Sequence, residues 1–152
     1  MKITWFCKHF SEISTEEFHD IIQLRINVFV VEQNCPYPEI DGKDKNAYHV
    51  FGKNEENKIV AVARIIPHGI SYEECSIGRV ASASSARLTG CGIDLMHFTI
   101  ENINSIYGKS NIRISAQEYL KSFYEKFGFK KMSESYLEDE IPHIEMLRIN
   151  QD

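Results

Sequence analysis

Long apolar runs are missing from this 152-residue sequence. The longest, Ile59 to Ala63, has five residues, far short of the ~20 that a membrane-spanning helix needs. Excess positive charge is missing too: 17 Lys and Arg stand against 22 Asp and Glu, for a formal net charge of -5. The broad basic footprint of a nucleic-acid binder is therefore absent, and any bound anion has to be held locally. Cysteine is sparse and scattered. Cys7, Cys35, Cys75 and Cys91 form no C-x-x-C pair and have no histidines at zinc-finger spacing, so neither a metal site nor a disulfide framework is expected. They read as reduced thiols of a cytoplasmic protein. Charge enters the N-terminus too early, at Lys2 and Lys8, for a signal peptide. With no repeat, low-complexity tract or Pro/Gly/Ser linker, residues 1–152 are read as a single domain.

What is present is the mix of a globular chain, 43% apolar and 26% charged, with nine Phe, seven Tyr and one Trp. A domain of this length buries roughly 70% of the surface its unfolded chain exposes. Periodicity orders the elements. A short strand at Thr4 to Phe6 precedes a helix opened by a Ser14/Glu17 capping box, with Phe18, Ile22, Ile26 and Phe29 as its expected buried face. Pro36 and Pro38 end it. Strands follow at His49 to Phe51, Lys58 to Ile66 and Glu74 to Ala81, the second apolar on both faces and so central in a sheet. The strongest helix runs from Gly92 to Tyr107 and is closed by Gly108. A strand at Asn111 to Ala116 then leads to a helix started by a Ser115/Glu118 box, with Leu120, Phe123 and Phe127 as its face. Strands at Lys130 to Leu137 and His143 to Ile149 complete a β-α-β-β-β-α-β-α-β-β order, a mixed α/β fold of one sheet flanked by helices.

Chemistry points first to Arg87-Leu88-Thr89-Gly90-Cys91-Gly92, an R-x-x-G-x-G stretch between a strand and the strongest helix. Glycines there let backbone N–H groups approach an anion, and the helix N-terminus favours negative charge. Arg87 can add a charged hydrogen bond to a phosphate. The stretch is neither a P-loop, since no G-x-x-x-x-G-K-[ST] occurs, nor a dinucleotide fingerprint, since Leu95 stands where a third glycine is wanted.

The succession Ile77-Gly78-Arg79-Val80, R-x-x-G-x-G, long helix, strand, and Phe123-Tyr124-Glu125-Lys126-Phe127-Gly128-Phe129 resembles the GNAT N-acetyltransferase superfamily. Leu24-Arg25, Val28 to Tyr37, Asp41-Gly42-Lys43-Asp44 and Ile141 to Met146 resemble its ElaA-like branch, over nearly the whole chain. The resemblance implies a GNAT-type fold, a mostly antiparallel twisted sheet of about six or seven strands with about four helices. It also implies acetyl-CoA as cosubstrate, with no metal. Its coenzyme contacts would be Ile77, Gly78, Arg79, Val80, Arg87, Leu88, Thr89, Gly90, Cys91, Gly92, Phe123 and Tyr124. A backbone N–H of the Gly78–Ala81 strand would hold the oxyanion, and Tyr124 would be the general acid for the departing thiolate.

An amine acceptor near pKa 10 must lose a proton before it attacks a thioester. Glu32 is the leading candidate base, against the alternative of a solvated or structurally bonded glutamate. His49 and His143, at strand starts, read as structural histidines, and Cys35 as a nucleophile lacks a visible base. Two acidic stretches, Glu32 to Asp44 and Glu134 to Glu145, either attract a cationic amine or are solvated loops. The expected activity is acetyl transfer from acetyl-CoA to a small-molecule or protein amine by direct attack in a ternary complex. The alternative is an acyl-CoA-binding sensor or interaction module with little turnover. Nucleic acid and membrane are not expected as partners, and a homodimer is left open.

Overall fold

A computed structural model of the chain describes residues 1–150. It begins with β1 (Thr4–His9), α1 (Thr15–Ile26) with a π-helical extension (Asn27–Glu32), β2 (Tyr48–Lys53), β3 (Ile59–Ile66) and β4 (Ser76–Ser82). It continues with α2 (Cys91–Tyr107), β5 (Ile112–Gln117), α3 (Lys121–Glu125), β6 (Phe129–Lys131), β7 (Tyr136–Glu138) and β8 (Ile141–Arg148). Among the described residues the strands form two antiparallel sheets, β1-β2-β3-β4 and β5-β8-β6 with β7 also on β8. The expected mixed α+β, mostly antiparallel architecture is thus present, but among the described residues it has eight strands in two sheets instead of six or seven in one, and three α-helices instead of four.

The α1 capping box forms as read: Glu17 N–H donates to Ser14 Oγ (3.0 Å) and Ser14 N–H to Glu17 Oε1 (2.9 Å). Its buried face does not. Ile21, Leu24 and Arg25 are buried while Ile26 is exposed, so the face is rotated by a residue to take in an arginine, which no apolar pattern can announce. The Ser115/Glu118 box is also corrected. Ser115 lies inside β5, and its hydroxyl donates to Glu138 Oε1 (3.0 Å) across the sheet. The expected Lys130–Leu137 strand is two pieces, because Ser133 Oγ accepts the Glu145 N–H (2.9 Å) in place of a ladder bond.

One departure in β4 shapes everything around it. Val62 pairs with Ala81 and Arg64 with Gly78, so one β3 residue faces two on β4, Arg79 and Val80. Arg79 adopts φ 51°, a β-bulge that bends its strand. The two sheets touch in parallel at a single bridge, Cys75 to Ile112, where Arg113 N–H donates to Cys75 O (3.0 Å). Beyond it β4 and β5 diverge, and β4 has no strand partner on that side. The main core fills one face, with α2 and α3 covering β3, β5 and β8 through Leu95, Met96, Ile114 and Met146. On the other face α1 packs Ile21 and Leu24 against Phe51, Val62 and Ala81.

Candidate active site

The divergence of β4 and β5 opens a cleft of about 990 Å³. One wall is β4 from Ser76 to Ser82, with Arg87 and Gly92 at one end and Leu120, Phe123 and Tyr124 beside it. The opposite wall carries Ser115, Gln117, Glu138 and His143, and the end of α1 and the loop after it close the third side.

Gly90 is the N-cap of α2 at φ 82°, and Ile93 and Asp94 are the first N–H groups to bond back, both to Gly90 O. The Cys91 and Gly92 N–H groups, like those of any first helical turn, have no intrahelical acceptor. A Cβ built on Gly78 or Gly90 would meet nothing within 4 Å, and one on Gly92 only the Phe123 ring at 3.6 Å. The space beside these glycines is therefore open to a ligand, as a coenzyme phosphate approaching the backbone requires. Leu88 and Thr89 lie on the exposed turn, and Cys91 is buried in the core.

Arg87 is not free in this structure. It holds Glu32 in a bidentate pair, Nη1–Oε1 2.7 Å and Nη2–Oε2 3.1 Å, and donates to Ser82 O through Nε and Nη2. The Arg87 hydrogen bond holds the Glu32 carboxyl below the usual carboxylate range. In this structure Arg87 holds both carboxylate oxygens, which is the structurally bonded alternative for Glu32.

Arg79 is likewise engaged. Its Nε donates to Glu39 Oε2 (2.6 Å), Nη2 to Asp41 Oδ2 (3.3 Å), and its guanidinium lies over the Tyr37 ring at 5.7 Å. Its side chain thus anchors the post-α1 loop. Around it Arg25 donates to Glu39 Oε2 (2.6 Å) and Asp44 Oδ1 (2.8 Å), and Arg64 Nη1 to Asp41 Oδ1 (2.8 Å) and Asp44 Oδ1 (3.1 Å). Three arginines neutralise three carboxylates. Glu39 and Asp44 are therefore buried ion-pair partners, not solvated carboxylates. Arg25 and Arg64 escaped the sequence reading because their partners lie 14 to 23 positions away.

Tyr124 belongs to the main core, 7% exposed, with its ring edge-on to Phe123 and Phe129. It also lines the cleft beside β4. Burial pushes its hydroxyl well above the ordinary tyrosine range, so it stays protonated and able to donate. Tyr124 therefore packs in the core and lines the cleft at the same time.

The far wall holds a polar chain that local sequence signals did not show. Ser115 Oγ bonds the Tyr136 hydroxyl (2.6 Å) and donates to Glu138; Glu138 Oε2 lies 3.4 Å from His143 Nε2; His143 Nδ1 donates to Ile141 O (2.6 Å). Strand register puts these groups in a row, with His143 opposite Gln117 on one side and Tyr136 on the other. Two links tie this wall to the end of α1: a reciprocal Gln33–Gln117 amide pair (3.3 and 3.4 Å), and Cys35 Sγ donating to Asp139 O (3.3 Å).

A splayed β4/β5 pair, a glycine-opened helix start and a tyrosine thus share one cleft. The family description "Acetyltransferase (GNAT) domain" matches residues 11–149, and the chain belongs to that family. It is 42% identical to Protein ElaA of Escherichia coli over 149 residues, 96% of each chain. A UPF0039 protein of Synechocystis is 38% identical over 147 residues, 97% of this chain and 96% of that one. Among solved structures, an acyl-CoA N-acyltransferase from Pseudomonas aeruginosa superposes with a TM-score of 0.92 at 36% identity, covering 97% of this chain and 99% of its own. Escherichia coli ElaA superposes with a TM-score of 0.90 at 39% identity, with the same coverage. No helix among the described residues is long and apolar enough to cross a membrane.

Proposed function

We propose that the protein transfers an acetyl group from acetyl-CoA to a primary amine by direct attack on the thioester. The observation that carries this is the unpaired, bulged edge of β4, which shares one cleft with the α2 N-terminus and Tyr124. The pyrophosphate would lie on the N–H groups of residues 90–92, and Arg87 would exchange Glu32 for a phosphate oxygen. The thioester carbonyl would lie along β4, where a backbone N–H between Gly78 and Ala81 takes the oxyanion. The acceptor enters from the α1 side. An ammonium first gives up a proton; the amine nitrogen then bonds the carbonyl carbon as its π-bond opens onto oxygen. Collapse breaks the C–S bond, sulfur takes the Tyr124 proton, and the nitrogen's second surplus proton restores Tyr124. Thioester and ammonium give amide, thiol and one released proton.

The test is thiol release from acetyl-CoA against a panel of polyamines, amino acids, aminoglycosides and lysine peptides. Release that depends on the amine supports transfer. Acetyl-CoA binding with no turnover on any amine overturns it and leaves a coenzyme-binding sensor. Tyr124→Phe keeps the buried ring and should lower kcat about 10²–10⁴-fold, with acetyl-CoA affinity retained. An unchanged kcat removes Tyr124 from the mechanism.

A further inference from the structure

Glu32 is engaged by Arg87 in this structure. Within the same cleft, one other carboxylate faces an imidazole: Glu138, at the neck of the β7–β8 hairpin. Asp139 and Glu140, at φ 50° and 65°, make the two-residue turn between Glu138 and Ile141, which pair directly. A turn with both central residues left-handed matches strand twist and holds its neck rigidly. Glu138 is thus set by backbone geometry, and its side chain is 49% exposed on the cleft side.

The hydrogen bonds around it leave room for one proton. Ile141 O can only accept, so the 2.6 Å contact places the His143 proton on Nδ1. In the neutral ring Nε2 then presents a lone pair to Glu138 Oε2 at 3.4 Å. Two acceptors face one another until a proton arrives between them. Glu138 Oε1 is meanwhile held by the Ser115 hydroxyl at 3.0 Å, and the His143 ring stacks on Tyr136 with planes 24° apart.

We propose that Glu138 is the catalytic proton acceptor for the incoming ammonium, with His143 as the positioning residue that shares the proton through Glu138. This rests on the acetyltransferase reading. The ammonium N–H bond breaks, its proton goes to the carboxylate and its electron pair stays on nitrogen. The proton then bridges Glu138 Oε2 and His143 Nε2 as a carboxylate–imidazolium pair, until the half-exposed Glu138 returns it to water after amide formation.

Every element packed around the pair contributes neighbours. On β5 they are Ser115 and Arg113, the latter paired with Glu145 of β8 and with Glu74. On β7 it is Tyr136, bonded in turn by Tyr72 from the β3–β4 loop. Asp139 sits in the turn, and Cys35 comes from the end of α1. Burial first, then Tyr136, Glu145 and Glu138, push Tyr72 up to about 12. Burial likewise raises Tyr136. Both phenols therefore remain neutral donors near neutral pH, leaving the Glu138–His143 pair to take the proton.

Glu138→Gln tests this in the full chain, with the panel amine that wild type turns over fastest. The proposal expects kcat to fall about 10²–10⁴-fold while KM for acetyl-CoA stays constant. The deficit should shrink as pH rises toward the acceptor's own pKa, where free amine needs no base. A kcat within twofold of wild type, a deficit independent of pH, or a rise only in the acceptor KM would each overturn it. His143→Phe keeps the stacking on Tyr136 and should displace the ascending limb of kcat against pH; an unmoved limb removes His143. Nitrogen NMR of the His143 ring reads the pair without turnover. The Nε2 resonance should differ between wild type and Glu138→Gln, because the Glu138 carboxylate faces that nitrogen at 3.4 Å. Superimposable spectra overturn the pairing even if no acceptor is found. Absent turnover alone, with differing spectra, instead counts against the acetyltransferase reading.

Discussion

The two acidic stretches resemble each other on paper and differ wholly in the folded chain. Glu39 and Asp44 are 5% and 2% exposed and locked by Arg25, Arg64 and Arg79. Glu138 is half exposed, bonded by a serine hydroxyl, beside a histidine, and open to the cleft. The first set of carboxylates is structural: it pins the loop between α1 and β2 to β3 and to the bulge of β4. In the second stretch Glu145 pairs with Arg113, whereas Glu138 is held by Ser115 and lies beside His143. A charge run takes its meaning from its partners, and these can lie tens of residues away.

The comparison breaks most forcefully at Arg25. Arg25→Met should leave Glu39 and Asp44 buried with fewer cations, and removing one partner of a buried pair costs about 3–5 kcal/mol. Urea denaturation reads this, and a loss under 1 kcal/mol would mean that the cluster is not holding the loop. Acid comes next. Burial raises the Asp44 pKa, but bonds and charges from Arg25 and Arg64 outweigh it, so the net shift is downward. Burial depresses His49 in the same neighbourhood. Both folded pKa values lie below their unfolded ones, so the stability they contribute is complete above about pH 6.5. It falls first as His49 protonates only in the unfolded chain, and again below about pH 4 as Asp44 does. Denaturation midpoints flat from pH 7 to pH 3 would contradict this.

Smaller effects sharpen the contrast. Glu32 belongs to the first stretch in sequence but pairs with Arg87 at the surface. Glu32→Gln should leave the urea midpoint nearly unchanged, as for an exposed ion pair, and added salt should erase any difference. Smallest of all, Glu138→Gln should leave the unfolding free energy within about 0.5 kcal/mol of wild type, measured by the same urea titration. A large loss there would move the second stretch into the structural class.

Much of this was legible in the chain. The Ser14 cap, the α2 stripe ending at Gly108, the central β3 and the glycines at 90 and 92 follow from local rules, and each is where those rules put it. The misreadings share a cause. The Ser115/Glu118 pattern satisfies a capping rule, yet Ser115 is claimed by Glu138 and Tyr136 from another strand. Arg25 interrupts an apolar face because its partners come from the following loop. The bulge at Arg79 uses a positive φ at a non-glycine residue, stabilised by contacts to Glu39 and Tyr37 that no window of sequence contains. In the candidate site, the glycine turn and Tyr124 carry family motifs, whereas the Glu138–His143 pair exists only through strand register.

The single bridge between Cys75 and Ile112 has a mechanical consequence. Below it the two sheets are stitched by one backbone bond; above it they are joined by side chains of α2 and α3 pressed against both, and across the mouth by an amide pair and a thiol. Forcing the cleft wider would therefore break few ladder bonds and would instead peel apolar surface apart, a load carried by close packing and water exclusion. The protein is built like tongs, stiff along each arm and sprung at one rivet.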